Sequence, residues 1–85
     1  MKEISYVIKD ELGIHARPAG LLVKAASGYK CKIMIRKGTT EKDAKSIFGV
    51  MGLGAKHGDE IRVTFNGTDE DEASITIRDF LKNNL

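Results

Sequence analysis

Glu60-Ile61-Arg62-Val63-Thr64-Phe65 alternates polar and apolar side chains without a break, so Ile61, Val63 and Phe65 share one face and Glu60, Arg62 and Thr64 the other. That period of two marks a strand with one face buried and the other in water. Lys56-His57-Gly58-Asp59 before it and Asn66-Gly67 after it supply turn residues at both ends. A strand buried on one side only needs a single covering layer, and the rest of the chain has to provide it.

Two other segments alternate in the same way. Residues 3–8 place Ile4, Tyr6 and Ile8 opposite Glu3, Ser5 and Val7, and residues 30–37 place Cys31, Ile33 and Ile35 opposite Lys32, Met34 and Arg36. After a Gly38-Thr39-Thr40 turn, the polar Glu41-Lys42-Asp43-Ala44 predicts no more than a short strand. Helical periods lie between. Ala16, Ala19, Val23 and Ala26 fall three and four apart with Leu22 beside them, predicting a helix over 16–27 that stops at Gly28. Ser46 can cap a short helix with Ile47, Val50, Met51 and Leu53 as its apolar positions and Gly54 as its exit. Thr68 is the predicted cap of a third helix, whose acidic first turn Asp69-Glu70-Asp71-Glu72 suits the positive end of the helix dipole. Its buried stripe is Ala73, Ile77, Phe80 and Leu81. The order β-α-β-β-α-β-α predicts an α/β (α+β) open-faced sandwich: a four-stranded, mainly antiparallel sheet with three helices on one face.

Composition sets the outer bounds. Eighty-five residues, 41% hydrophobic and 31% charged, suffice for one core, so residues 1–85 are expected to form a single domain. The longest apolar run, residues 19–23, is far short of the roughly 18 residues of a spanning helix, and no signal peptide is visible, which predicts a cytoplasmic protein without membrane insertion. The single Cys31 has no partner for a disulfide or a metal site, and no cofactor or metal is expected. Charge is uneven: residues 1–40 carry eight Lys/Arg and three acids, and the remainder six and nine, so +5 and −3 give the net +2. One face is therefore expected to be basic.

Gly13-Ile14-His15-Ala16-Arg17-Pro18 brings that charge to a chemical point. Proline lacks an N–H and has φ preset near the helical value, so Pro18 fits the first turn and puts His15 at the helix N-terminus. Free N–H groups there, the positive pole of the dipole and the Arg17 guanidinium all favour an anion, phosphate above all. A neutral imidazole in that place could hydrogen-bond the anion, or attack phosphorus and hold the phosphoryl group itself. The blander reading is that His15 only caps the helix and Arg17 is a solvated charge; spacing alone does not separate these.

Residues 13–19 resemble the active-site motif of the HPr family, the histidine-containing phosphocarriers of the sugar phosphotransferase system. Ala44-Lys45-Ser46-Ile47-Phe48-Gly49-Val50-Met51-Gly52-Leu53-Gly54 is similar to that family's regulatory-serine segment, and the resemblance covers essentially the whole chain. It implies that His15 accepts a phosphoryl group on Nδ1 from phosphorylated enzyme I and passes it to IIA components, with Arg17 steadying the phosphate. Such a protein is a carrier and a substrate of its partners, and not an enzyme.

The resemblance to Gram-positive members further implies that Ser46 is phosphorylated by the HPr kinase/phosphorylase and then read by a catabolite repressor. As residues, Ile47 and Phe48 are adjacent and cannot both enter the core, so at least one is expected to be exposed. By resemblance, Gly20, Lys24, Ile47, Phe48 and Met51 form the docking face around His15, apolar at its centre and basic at its rim. Lys42 and Asp43 stand where the family often has an apolar residue and an asparagine, which bears on the approach to Ser46. Rival readings are a carrier in a nitrogen-regulatory branch and a non-carrier binding module. Direct nucleic-acid binding has no Lys/Arg run or strand aromatic pair to support it, and relay between two larger partners predicts a monomer. His57, in a turn without ligand partners, is expected at the surface, and Cys31 in the core.

Overall fold

β4 (Glu60–Asn66), the strand that the alternation at residues 60–65 predicts, lies inside a four-stranded sheet ordered β1-β4-β2-β3. Its neighbours are β1 (Lys2–Val7) and β2 (Lys32–Lys37), and β2 pairs in turn with β3 (Thr40–Asp43). Every pairing is antiparallel. Three helices complete the computed structural model, which describes residues 1–85: α1 (Ala16–Ser27), α2 (Ile47–Gly52) and α3 (Glu70–Asn84).

Register aligns the apolar faces. Val63 stands opposite Ile4 on one side and Ile35 on the other, while Phe65 stands opposite Ile33. Ile33, Ile35, Ile61, Val63 and Phe65 are fully buried; Lys32 and Arg62, on the alternate face, are exposed. Each of those five side chains contributes roughly 1.5–3 kcal/mol through removal from water. The helices cover this face. α3 packs on β1 and β4, α2 lies beside β3, and α1 contacts both α2 and α3, sending Ala19, Leu22 and Ala26 into the core beside Ala73, Ile77 and Leu81 of α3. The predicted open-faced sandwich is the fold observed.

Several local expectations differ from it. Ala16, at the first residue of α1, is exposed, because the stripe rotates into the core only from Ala19 onward. Ile4 and Tyr6 are half-buried, since β1 is an edge strand with one sheet neighbour. Gly28 closes α1 with a right-handed φ of −74°, and the left-handed exit expected of a terminal glycine occurs at Gly54, φ +68°, after α2. The N-cap of α3 is Asp69 and not Thr68: the Asp69 carboxylate leaves its own helix and accepts the N–H groups of Lys30 and Cys31 at 2.8 and 2.9 Å. It thereby ties the start of α3 to the approach to β2. Phe80 is half-buried, and Ser74 occupies a buried place on that helix by donating to the Asp71 carbonyl at 2.8 Å.

Candidate functional site

His15 is the N-cap of α1, in extended backbone conformation, and its side chain makes no capping hydrogen bond. The residue thus caps α1 through its backbone alone: its carbonyl accepts the Ala19 N–H at 3.0 Å, and the imidazole takes no part in the cap. Pro18 is buried in the first turn and brings no N–H. With Ala19 bonded to His15, the amides of Ala16 and Arg17 have no intrahelical partner. Arg17 is exposed and takes part in no ion pair.

The loop that carries His15 is clamped from two sides. Gly13, at φ +66°, lets Ile14 donate its N–H to the Ala55 carbonyl at 3.0 Å, and Ile14 is buried. A Cβ on Gly13 would lie 2.4 Å from that same carbonyl oxygen. On the other side, the Lys9 and Asp10 amides donate to the Leu85 carbonyl oxygen at 2.6 and 2.9 Å, so the end of α3 buttresses the loop. Between these supports an open cavity of about 170 Å³ is lined by Asp10, His15, Arg17, Pro18, Leu21 and Asn84. A larger cleft of about 400 Å³, lined by Arg36, Gly38, Glu60 and Arg62, holds no histidine, cysteine or hydroxyl side chain; the chemistry of the smaller one makes it the candidate site. The side chains bring together an imidazole, a guanidinium, free helix N-terminal amides and an exposed Leu21. Helix N-terminal amides and a guanidinium together favour an anion.

The α2 residues stand as follows. Ser46 is its N-cap, and Ser46 Oγ accepts the Gly49 N–H at 3.2 Å. Lys45, just before it, is turned away to donate from Nζ to the Tyr29 carbonyl at 2.7 Å. Val50 and Leu53 are buried; Ile47 is partly buried against the core, whereas Phe48 is 88% exposed and Met51 is exposed too. Gly20 and Lys24 are exposed on α1, which packs against α2. His57 is on the surface and Cys31 is buried. Residues missed at the sequence level are Asp10 and Asn84 in the cavity and the exposed Leu12 and Leu21. Leu21 was legible, since it falls off the buried stripe of α1; Asp10 and Asn84 come from opposite ends of the chain and carry no joint signal. Away from the cavity, burial, then contact with Asp69, pushes the Cys31 thiol up, and the Lys30 amide holds the Asp69 carboxyl below its usual range. No group of three or more His, Cys, Asp or Glu side chains could hold a metal ion.

The sequence profile of the family described as "PTS HPr component phosphorylation site" matches residues 2–83. The chain belongs to the HPr family. It is 41% identical over 85 residues to the phosphocarrier protein HPr of Mycoplasma genitalium, covering 99% of this chain and 97% of that one. Among solved structures, the histidine-containing phosphocarrier protein of Mycoplasma aligns at a TM-score of 0.94 and 35% identity, covering 96% and 93% of the two chains. HPr from Thermoanaerobacter tengcongensis aligns at 0.93 and 38% identity, covering 98% and 93%. HPr is a phosphocarrier of the phosphotransferase system: it relays a phosphoryl group between enzyme I and IIA components and is not itself an enzyme. No helix of this HPr-family chain is long and apolar enough to cross a membrane.

Proposed function

We propose that His15 is the phosphoryl acceptor of this carrier and Arg17 the residue that steadies the phosphate. One observation carries the reading: the imidazole at the N-terminus of α1 is spent on no capping bond and opens into a cavity that it shares with Arg17. In the transfer, a ring nitrogen lone pair bonds to phosphorus as the bond from phosphorus to the donor atom of enzyme I breaks, the electron pair leaving with the donor. The free amides of Ala16 and Arg17 and the guanidinium then meet the dianion. Attack on the same phosphorus by a IIA component reverses the sequence and restores the imidazole.

Gly20, Lys24, Ile47, Phe48 and Met51 serve as the docking face. Phe48 supplies exposed aromatic area, and Lys24 a rim charge that speeds encounter with acidic partners. Ser46 is the regulatory phosphorylation site, a substrate of the HPr kinase/phosphorylase whose phosphorylated form a catabolite repressor reads. A phosphate on Ser46 would sit at a helix N-terminus, where negative charge is tolerated, so the effect is a change of surface charge. The carrier acts as a cytoplasmic monomer in sugar uptake, using one face for its partners in turn. The test reconstitutes the relay from enzyme I, Mg²⁺, radiolabelled phosphoenolpyruvate and a IIA component. Label reaching the IIA component only when this protein is present supports the reading, and label passing equally well through His15→Ala refutes it.

A further inference from the structure

Beside the imidazole stands a carboxylate that the relay described above leaves unused. Asp10 Oδ2 lies 3.7 Å from His15 Nε2, and both residues line the same cavity. Asp10 is held on three sides. Its Oδ1 accepts the Leu12 N–H at 2.8 Å, its carbonyl accepts the Gly13 N–H at 2.9 Å, and its own N–H donates to the Leu85 carbonyl oxygen at 2.9 Å. The side chains of Asp10 and His15 are 29% and 37% exposed, so both are partly withdrawn from water.

An ionised carboxylate only accepts hydrogen bonds, whereas a neutral imidazole offers one donor and one acceptor nitrogen. Asp10 therefore favours the tautomer with the proton on Nε2, and that tautomer carries its free lone pair on Nδ1. We propose that Asp10 is a positioning residue for phosphoryl transfer, holding the His15 ring with its N–H on Nε2 and so presenting Nδ1 to phosphorus. The inference rests on His15 being the acceptor and adds what selects the attacking nitrogen. As the Nδ1 lone pair bonds to phosphorus and the donor atom departs with its electron pair, Nε2 keeps its proton and the ring becomes cationic, facing the Asp10 carboxylate. The contact is longer than a hydrogen bond in the resting protein, as such contacts often are before charge develops. On transfer to the next acceptor, the nitrogen–phosphorus pair returns to Nδ1 and the ring is neutral again.

Asp10→Asn tests this with little change of shape. The amide oxygen can keep the Leu12 bond, which turns the NH₂ group toward Nε2; a donor there requires Nε2 to accept, and the ring proton moves to Nδ1. Nitrogen-15 NMR of the neutral ring is expected to find the proton on Nε2 in the wild type and a raised Nδ1–H population in Asp10→Asn. Phosphorylation by enzyme I is expected to slow about fivefold to tenfold, a modest factor because partial exposure screens the pair, and Asp10→Glu to recover part of the rate. An Asp10→Asn protein with the wild-type tautomer and rate overturns the proposal. So does a variant that merely melts lower with its tautomer unchanged, since the role would then be structural. A wild-type protein that active enzyme I leaves unlabelled removes the His15 assignment as well, which separates the two failures.

Discussion

Replacing Gly13 by alanine probes the support of the site from below. An L residue at φ +66° costs about 1–2 kcal/mol. The new Cβ would also lie 2.4 Å from the Ala55 carbonyl oxygen and 2.8 Å from Lys56 Cα. Both neighbours are backbone and cannot rotate aside, so the loop must shift, at about 1–3 kcal/mol for overpacking of this kind. A shift also loosens the bond from the Ile14 N–H to Ala55, worth about 1 kcal/mol. Together these come to roughly 3–6 kcal/mol, a large share of a total stability of about 5–15 kcal/mol. At about 4–8 °C per kcal/mol for a domain of this size, Tm falls by at least ~12 °C. Gly20→Ala is the matched control: it lies inside α1 with no heavy atom within 4 Å of the added Cβ. It is expected to raise stability by about 0.5–1 kcal/mol through helix propensity. Urea and thermal unfolding of both variants, followed by circular dichroism, decide the matter. Gly13→Ala within about 1 kcal/mol of wild type would refute the clamp, as would the same sign of change for both substitutions.

Three further outcomes are expected. Asp69, whose carboxyl the Lys30 amide holds below the ordinary value of about 4, contributes stability that is present above that value and lost as pH falls through the lower folded one; Asp69→Asn should flatten the acid limb of the stability–pH curve, and an unchanged limb contradicts the assignment. Phe48→Ala, at a side chain 88% exposed, should change unfolding free energy by less than about 0.5 kcal/mol while slowing phosphoryl transfer from enzyme I; equal transfer rates refute the docking role. Ser46→Ala should cost about 1 kcal/mol by removing the acceptor for the Gly49 N–H, whereas Ser46→Asp keeps an acceptor, matches wild type in chemical denaturation and slows transfer. A Ser46→Asp protein much less stable than Ser46→Ala refutes the helix-terminus argument.

The sheet was legible because its alternation is unbroken where it matters: Ile61, Val63 and Phe65 in β4 and Ile33 and Ile35 in β2 point one way, and register completes what each strand declares alone. β3 was less so, since its polar Thr40–Asp43 is held by pairing with β2 and not by burial. Thr68 failed as a cap because local preference could not anticipate a distant demand: Asp69 takes the cap position and spends its carboxylate on Lys30 and Cys31. The start of the site was readable from Pro18, which fixes the helix onset and with it the place of His15. What surrounds the imidazole was not. Asp10 reads locally as a turn residue bonding the Leu12 amide, and only the folded loop, pinned to Leu85, turns its second oxygen toward His15. Asn84 reaches the same cavity from the far end of the chain.

The measurement that bears most directly on the central claim is the chemical stability of the bound phosphate. Wild type and His15→Ala are incubated with enzyme I, Mg²⁺ and radiolabelled phosphoenolpyruvate, then treated with acid. Acid-labile label is expected on the wild type, mapped to the peptide containing His15, and none on His15→Ala, with both proteins folded. Label that is acid-stable, or that persists on His15→Ala, would contradict it.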